Sequence, residues 1–291
     1  MGLARASGRN LVAKLDMLVE GTDVPEGMGY RNAARKAVAM CVSDFAAKGV
    51  RPGSFMISLG LRRGTSMRQV RELGMGLRDA EREWGVALIG GDTNEAKELV
   101  IDCAMLGFAD RIVPRSGAKP GDAIVVTGPF GFEPAGLRIL EKRAKAEKRF
   151  ASEAVRRVFR PTPNLEAGVA LAPFLSASMD SSDGLSRSLH TIAKASGVGL
   201  EIESLPAGEG VREFAKQNSL PFRELVLEGG EEYAIVATLA SSKLPHARRA
   251  LRRAGATLKL IGRVAGVPGS VTMVSGEGRE RIRDAGWTHL A

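Results

Sequence analysis

The chain has 291 residues, 44% of them hydrophobic and 26% charged, with a formal net charge of +9. This is the composition of an ordinary globular protein, and the length suggests about two domains. No apolar run reaches the roughly 18 residues of a membrane span, and residues 1–9 lack the apolar stretch of a signal peptide, so a cytoplasmic protein is expected. The positive charge concentrates in 138–160 and 246–253, which read as solvated helices. With only 5% aromatic residues, nucleic-acid binding is disfavoured. The two cysteines, Cys41 and Cys103, lie in apolar segments and read as buried small hydrophobes, with no zinc or disulfide framework.

In chain order, Lys14–Val19 reads as a strand closed by Gly21. Residues 31–48 have helical spacing, with Ala34, Ala37, Val38, Cys41 and Phe45 on one face. Gly49 stops this helix, with Pro52 just beyond. Phe55–Leu59 is a buried strand, and Thr65 or Ser66 caps a helix running to Trp84. Val86–Ile89 is a strand ending at Gly90-Gly91-Asp92, and Leu99–Phe108 is the next. A boundary near Pro114 divides a first domain, 1–113, from a second, 114–291. After the turn Lys119-Pro120-Gly121-Asp122 come a strand at 123–127 and a helix from Pro134. A charged stretch then runs to Arg160, and a short helix spans Leu165–Leu171. Phe174–Met179 leads into Asp180-Ser181-Ser182-Asp183-Gly184-Leu185 and a helix through Ala195. Strands follow at 199–202, 233–238 and 258–264. Strands and helices mix in both halves, so a layered α/β fold of two domains is predicted.

Six acids sit in turn-like, glycine-flanked settings with no basic residue beside them: Asp44, Asp92, Asp180, Asp183, Glu231 and Glu232. Gathered carboxylates repel unless a cation lies between them, and hard oxygen donors suit Mg²⁺ bound together with substrate phosphates. Asp180 and Asp183, three apart around a strand-to-helix turn, can face one cation; Asp183 can equally cap the helix. The glycines of Gly90-Gly91-Asp92-Thr93 let a polyphosphate approach the backbone, or simply make a tight turn. Asp44 in an apolar helix and Asp16 in an apolar strand both call for a partner. Gly229-Gly230-Glu231-Glu232-Tyr233 is a substrate contact or a hairpin turn. Arg115 and Lys119 are phosphate contacts or solvated charges, and Trp287 is a stacking platform or packing residue. His190 reads as structural. No phosphate loop of the Gly-x-x-x-x-Gly-Lys type, dinucleotide fingerprint or protein-kinase catalytic loop occurs, and none of the three histidines suits a hydrolytic triad.

Seven stretches in order resemble the thiamine-monophosphate kinase family: Asp16–Asp23, Val42–Gly49, Gly90–Thr93, Arg115–Asp122, Asp180–Leu185, Gly229–Tyr233 and Asp284–Trp287. That family shares its ATP-binding fold with aminoimidazole ribonucleotide synthetase. The resemblance spans nearly the whole chain. It implies transfer of the ATP γ-phosphate to thiamine monophosphate, a two-domain fold, and a homodimer whose N-terminal sheets pair into a barrel. It implies Asp16, Asp44, Asp92, Asp180 and Asp183 as Mg²⁺ ligands, with Gly91, Asp92, Arg115 and Ser182 at the nucleotide. Asp23, Glu231 and Trp287 would lie at the thiamine part. The family pattern also has an upstream Gly-Asp-Asp segment, whereas no acid precedes Asp16 here. That difference is the support for the alternative expectation of a truncated or non-catalytic nucleotide-binding homologue, beside another enzyme of the same superfamily. Leu15 and Asp23 stand where many relatives carry a hydroxyl and a histidine, which implies altered substrate geometry.

Overall fold

A computed structural model describes residues 1–6, 9–276 and 278–288, so 289–291 of the predicted second domain lie outside it. The first half runs β1 (Gly2–Ala6), β2 (Arg9–Val19), α1 (Glu20–Asp23), α2 (Tyr30–Lys48), β3 (Pro52–Arg62), α3 (Met67–Trp84), β4 (Ala87–Ala96) and β5 (Val100–Ala109). Its five strands form one sheet in the order β1-β2-β5-β3-β4. The second half holds β6 (Asp122–Val126), α4 (Phe132–Leu140), α5 (Lys148–Phe159), α6 (Leu165–Leu171), β7 (Leu175–Ser181), α7 (Leu185–Ser196) and β8 (Leu200–Ile202). It continues with α8 (Val211–Gln217), α9 (Phe222–Leu227), β9 (Ala234–Ala240), α10 (Leu244–Arg253), β10 (Lys259–Val264), β11 (Val271–Ser275) and β12 (Gly278–Arg281). These strands form a seven-stranded sheet, β12-β11-β8-β10-β6-β9-β7. The chain is thus an α/β protein of two sheets, one in each half, as its residue patterns predict.

Helix α2 departs from the amphipathic expectation. Only one apolar face was expected, yet nearly every residue from Ala33 to Lys48 is buried. The cause is its position: it packs on β2 and β5 of one sheet and on β7, β9 and α6 of the other half. A helix covered on both sides must be apolar all round, and Ala, Val, Cys and Phe provide that. One core cluster accordingly contains Val38, Val42 and Phe45 together with Ile101 from the first sheet and Ile235 and Leu239 from the second. The same helix carries four charged residues into the interior: Arg35, Lys36, Asp44 and Lys48. Burying a charge is costly unless it is paired, so each marks a place where the two halves meet through polar chemistry.

Element ends follow local rules. Ser66 caps α3 with a reciprocal capping box to Gln69, and Gly49 closes α2 in the left-handed region at φ 67°. The strand expected to stop at Gly90 instead runs on through Gly91, Asp92 and Thr93 to Ala96, because β4 keeps pairing in parallel with β3 along that length. Strands β1, β11 and β12 and helices α8 and α9 were not anticipated. Each is at most seven residues long, too short for a clear period.

Candidate active site

Strand β2, helix α2 and strand β7 bring three carboxylates to the junction of the two halves. Alternation along β2 points Lys14 and Asp16 inward with Val12 and Leu18, toward α2. The Lys14 ammonium lies 2.9 Å from Asp16 Oδ1 and 2.6 Å from Asp44 Oδ2. Across the junction, Ser43 Oγ donates to Asp180 Oδ2 at 2.6 Å. Burial, then the charge of Asp44, pushes the Asp180 carboxyl up to about 6. Burial likewise raises Asp16, against the pull of Lys14. Burial depresses Lys14 too, but Asp44 and Asp16 outweigh it and hold its ammonium above the ordinary lysine range. Lys48 donates to Ser178 O at 2.6 Å. Burial, then the charge of Arg115, pushes it down to about 8; Arg115 itself is exposed.

Lys14 was not among the residues singled out in the sequence, and it corrects the reading of Asp44 as an acid without a basic partner. Its signal was available: positions i and i+2 of a strand share a face, so Lys14 and Asp16 had to be neighbours. Among the described residues, no three His, Cys, Asp or Glu side chains are preassembled around a metal position. The ammonium of Lys14 stands in for a cation between Asp16 and Asp44. Hard carboxylate oxygens around a positive charge are the donor set Mg²⁺ takes, so these residues fit that ion.

Beside the cluster opens a cleft of about 540 Å³. Its walls carry Asp23, Glu26, Glu141, Asp183, Glu228 and Glu231, and among the described residues no lysine or arginine lines it. Ser182, Tyr233 and Trp287 also line it, with Met40, Leu137 and Leu140 as its apolar part. Trp287 is 53% exposed at the rim, and its backbone N–H donates to Asp183 O at 3.0 Å. The Asp23 carboxylate accepts from Val19 N–H at 2.8 Å and from Thr22 Oγ1 at 2.9 Å, so it also holds the β2–α1 corner. Glu231, the second acid with an unforeseen basic partner, pairs with Lys36 of α2.

The two glycine-rich motifs of the second half are packed backbone to backbone. Gly184 sits at φ 109°, and a Cβ there would lie 2.8 Å from Gly229 O. Gly184, not Asp183, occupies the N-cap of α7, without a side-chain cap. The capping reading of Asp183 is thereby set aside, and the residue lines the cleft instead. Glu231 N–H donates to Ser182 O at 2.7 Å and Tyr233 N–H to Ser181 O at 2.9 Å. The Gly229–Tyr233 segment is therefore docked on the end of β7 rather than forming a free hairpin.

Asp92 is not brought into the carboxylate cluster within one chain. The ladder sets Met17 opposite Asp102, Asp102 opposite Ser58 and Ser58 opposite Asp92. Directly paired residues share a face, so Asp92 lies on the outward face with Met17, opposite Asp16. Gly91 has a local reason to be glycine, since a Cβ there would lie 2.4 Å from Ile57 O. His190 Nε2 bonds Ile282 O at 3.0 Å, which is the structural role expected. No helix among the described residues is long and apolar enough to cross a membrane.

Known proteins share this architecture. Residues 2–109 match the family model for the AIR synthase related protein N-terminal domain, and residues 119–275 match its C-terminal domain. The thiamine-monophosphate kinase of Nitrosopumilus maritimus (strain SCM1) is 39% identical over 288 residues, covering 97% of this chain and 90% of the relative. That of Pyrococcus abyssi is 35% identical, covering 100% of this chain and 89% of the relative. Among solved structures, AaThiL complexed with AMPPCP and TMP superposes with a TM-score of 0.88 at 26% identity, covering 99% of this chain and 90% of that one. A hydrogenase maturation protein, HypE, at 20% identity and TM-score 0.79, covering 97% of this chain and 90% of that one, shares the fold. The order of the motifs, the two-sheet architecture and these similarities agree: the chain belongs to the thiamine-monophosphate kinase family, within the AIR synthase related proteins.

Proposed function

We propose that this chain transfers the γ-phosphate of ATP to thiamine monophosphate, giving thiamine diphosphate and ADP. The observation that carries the reading is a cleft lined by six acidic residues and, among the described residues, no basic one, beside the cluster of Asp16, Asp44 and Asp180. A cleft with that charge favours an organic cation, and the thiazolium of thiamine is one. Trp287 at the rim offers an indole face to such a cation, with Asp23 and Glu231 on the walls. The printed ligands of one structural relative, AMPPCP and TMP, are an ATP analogue and this acceptor.

The acceptor is a phosphomonoester with a second pKa near roughly 6, so it is already ionised near neutral pH. The chain then needs no strong base. Its task is to hold two anionic phosphates in line. Asp16, Asp44 and Asp180, with Asp92 and Asp183 as further donors, would hold Mg²⁺, which when bound supplies charge relief between the phosphates. Ser182, Arg115 and the Gly91 backbone serve the nucleotide. Asp92 on the outward face requires a second copy nearby. Leu15 and Met17, 61% and 55% exposed, share that face with Met56 and Phe108. A homodimer with its two first-half sheets facing each other covers this apolar surface. Dependence on ATP places the reaction in the cytoplasm.

The test is product formation from ATP, Mg²⁺ and thiamine monophosphate, with Asp44→Asn alongside. Thiamine diphosphate and ADP should appear in equal amounts, with the variant at least roughly 100-fold slower. A folded parent that binds ATP and forms no thiamine diphosphate would overturn the reading.

A further inference from the structure

Lys36 is the most enclosed charged group near the cleft, and nothing in the reaction as outlined uses it. Its side chain is 1% exposed on α2. Its ammonium donates to the backbone oxygen of Asp23 at 2.8 Å and to the carboxylate of Glu231. Asp23 ends α1, in the first half of the chain, and Glu231 belongs to the second. Both line the cleft. One buried cation therefore ties the two walls of the cleft to the helix that both sheets share.

The Glu231 end is built to be held. Glu231 and Tyr233 adopt left-handed backbone at φ 66° and 50°, which non-glycine residues rarely take. Such strain persists only where the surroundings fix it. Lys36 takes Glu231 Oε1, while Oε2 is buried without a hydrogen-bond partner among the described residues. A carboxylate with one oxygen fixed and the other unspent is an oriented anion at the cleft wall. Burying an ammonium costs several kcal/mol unless its partners are well placed. A neutral side chain would have filled the same space at lower cost, so the charge has a use.

We propose that Lys36 is a positioning residue that orients Glu231 toward the cationic ring of the acceptor and sets the spacing of the cleft walls. This rests on the reading of the cleft as the thiamine monophosphate site. Lys36 touches neither substrate nor phosphate in this proposal and acts only through Glu231 and the Asp23 backbone.

The experiment compares the parent with Lys36→Met, Glu231→Gln and the double variant, by steady-state kinetics and by hydrogen exchange at the Glu231 and Tyr233 amides. Lys36→Met should raise KM for thiamine monophosphate about 10- to 100-fold, the range a charge-assisted hydrogen bond covers. The KM for ATP and kcat should change far less. The double variant should be no worse than Glu231→Gln alone, since both changes remove one interaction. Exchange at both amides should quicken in Lys36→Met. Additive losses, a kcat effect at constant acceptor KM, or unchanged exchange would each overturn the proposal. If Lys36→Met does not fold, Lys36→Gln, which keeps a polar group beside Asp23 O and removes the charge, is read by the same two measurements. A parent that neither turns over nor binds thiamine monophosphate by calorimetry, yet shows faster exchange in Lys36→Met, would sink the substrate reading while leaving the tie intact.

Discussion

Glu133, on α4, is buried with one carboxylate oxygen lacking a hydrogen-bond partner among the described residues and the other 3.6 Å from Arg157. Burial, only partly offset by Arg157, pushes its carboxyl up to about 7 from an ordinary 4.5. The folded protein therefore holds a proton that the unfolded chain releases between those values. The stability this gives is complete below pH 4.5 and is lost as pH rises to about 7. The loss is on the order of 3 kcal/mol at 1.36 kcal/mol per unit. Glu133→Gln stays neutral throughout. Thermal melts should place it above the parent at pH 8, with the gap closing toward pH 4.5. Parallel melting curves for the two proteins across that range would show that Glu133 ionises freely. Lys14 illustrates the opposite solution at the same scale, where an ammonium sits between two enclosed carboxylates, 2.9 Å from Asp16 and 2.6 Å from Asp44.

At the scale of elements, α2 decides the site because it presents Lys36 to one wall and Ser43, Asp44 and Lys48 to the carboxylate cluster. Its position against the second half depends on α6. A Cβ at Gly168 would lie 2.0 Å from Ala46 O of α2, a backbone atom with no room to move. Gly168→Ala should cost about 1–3 kcal/mol by overpacking. On α3, a Cβ at Gly74 would meet nothing within 4 Å, so Gly74→Ala should gain about 0.5–1 kcal/mol from reduced chain entropy. Denaturant titration of both variants reads the contrast. Equal midpoints would mean that α6 shifts freely against α2. The helices themselves were legible: α2, α3 and α6 begin and end within a residue or so of their sequence signals, because caps and glycines act locally.

For the whole molecule, the outward face of the five-stranded sheet exposes Leu15, Met17, Met56 and Phe108, while its inward face is sealed by α2 and α3. Sheets covered on one side bury the other or turn polar, and this one keeps these four large apolar side chains in solvent. The 30.9 kDa chain should therefore scatter light as a dimer, and Met17→Lys should shift it toward the monomer. A monomeric parent at micromolar concentration would remove the basis for pairing the two sheets.

The sequence by itself determined which residue types are present, where the long helices begin and end, and the order of seven motifs that places the chain in its family. Those are local facts, set by side-chain period, capping and turn chemistry. Tertiary structure alone decided which carboxylates meet. Asp16 and Asp92 lie on opposite faces of one sheet because strand register, fixed by long-range pairing, assigns each side chain its face. Asp44 and Asp180, far apart in sequence, converge because α2 is clasped between both sheets. Lys36 reaches Glu231 across 195 positions for the same reason.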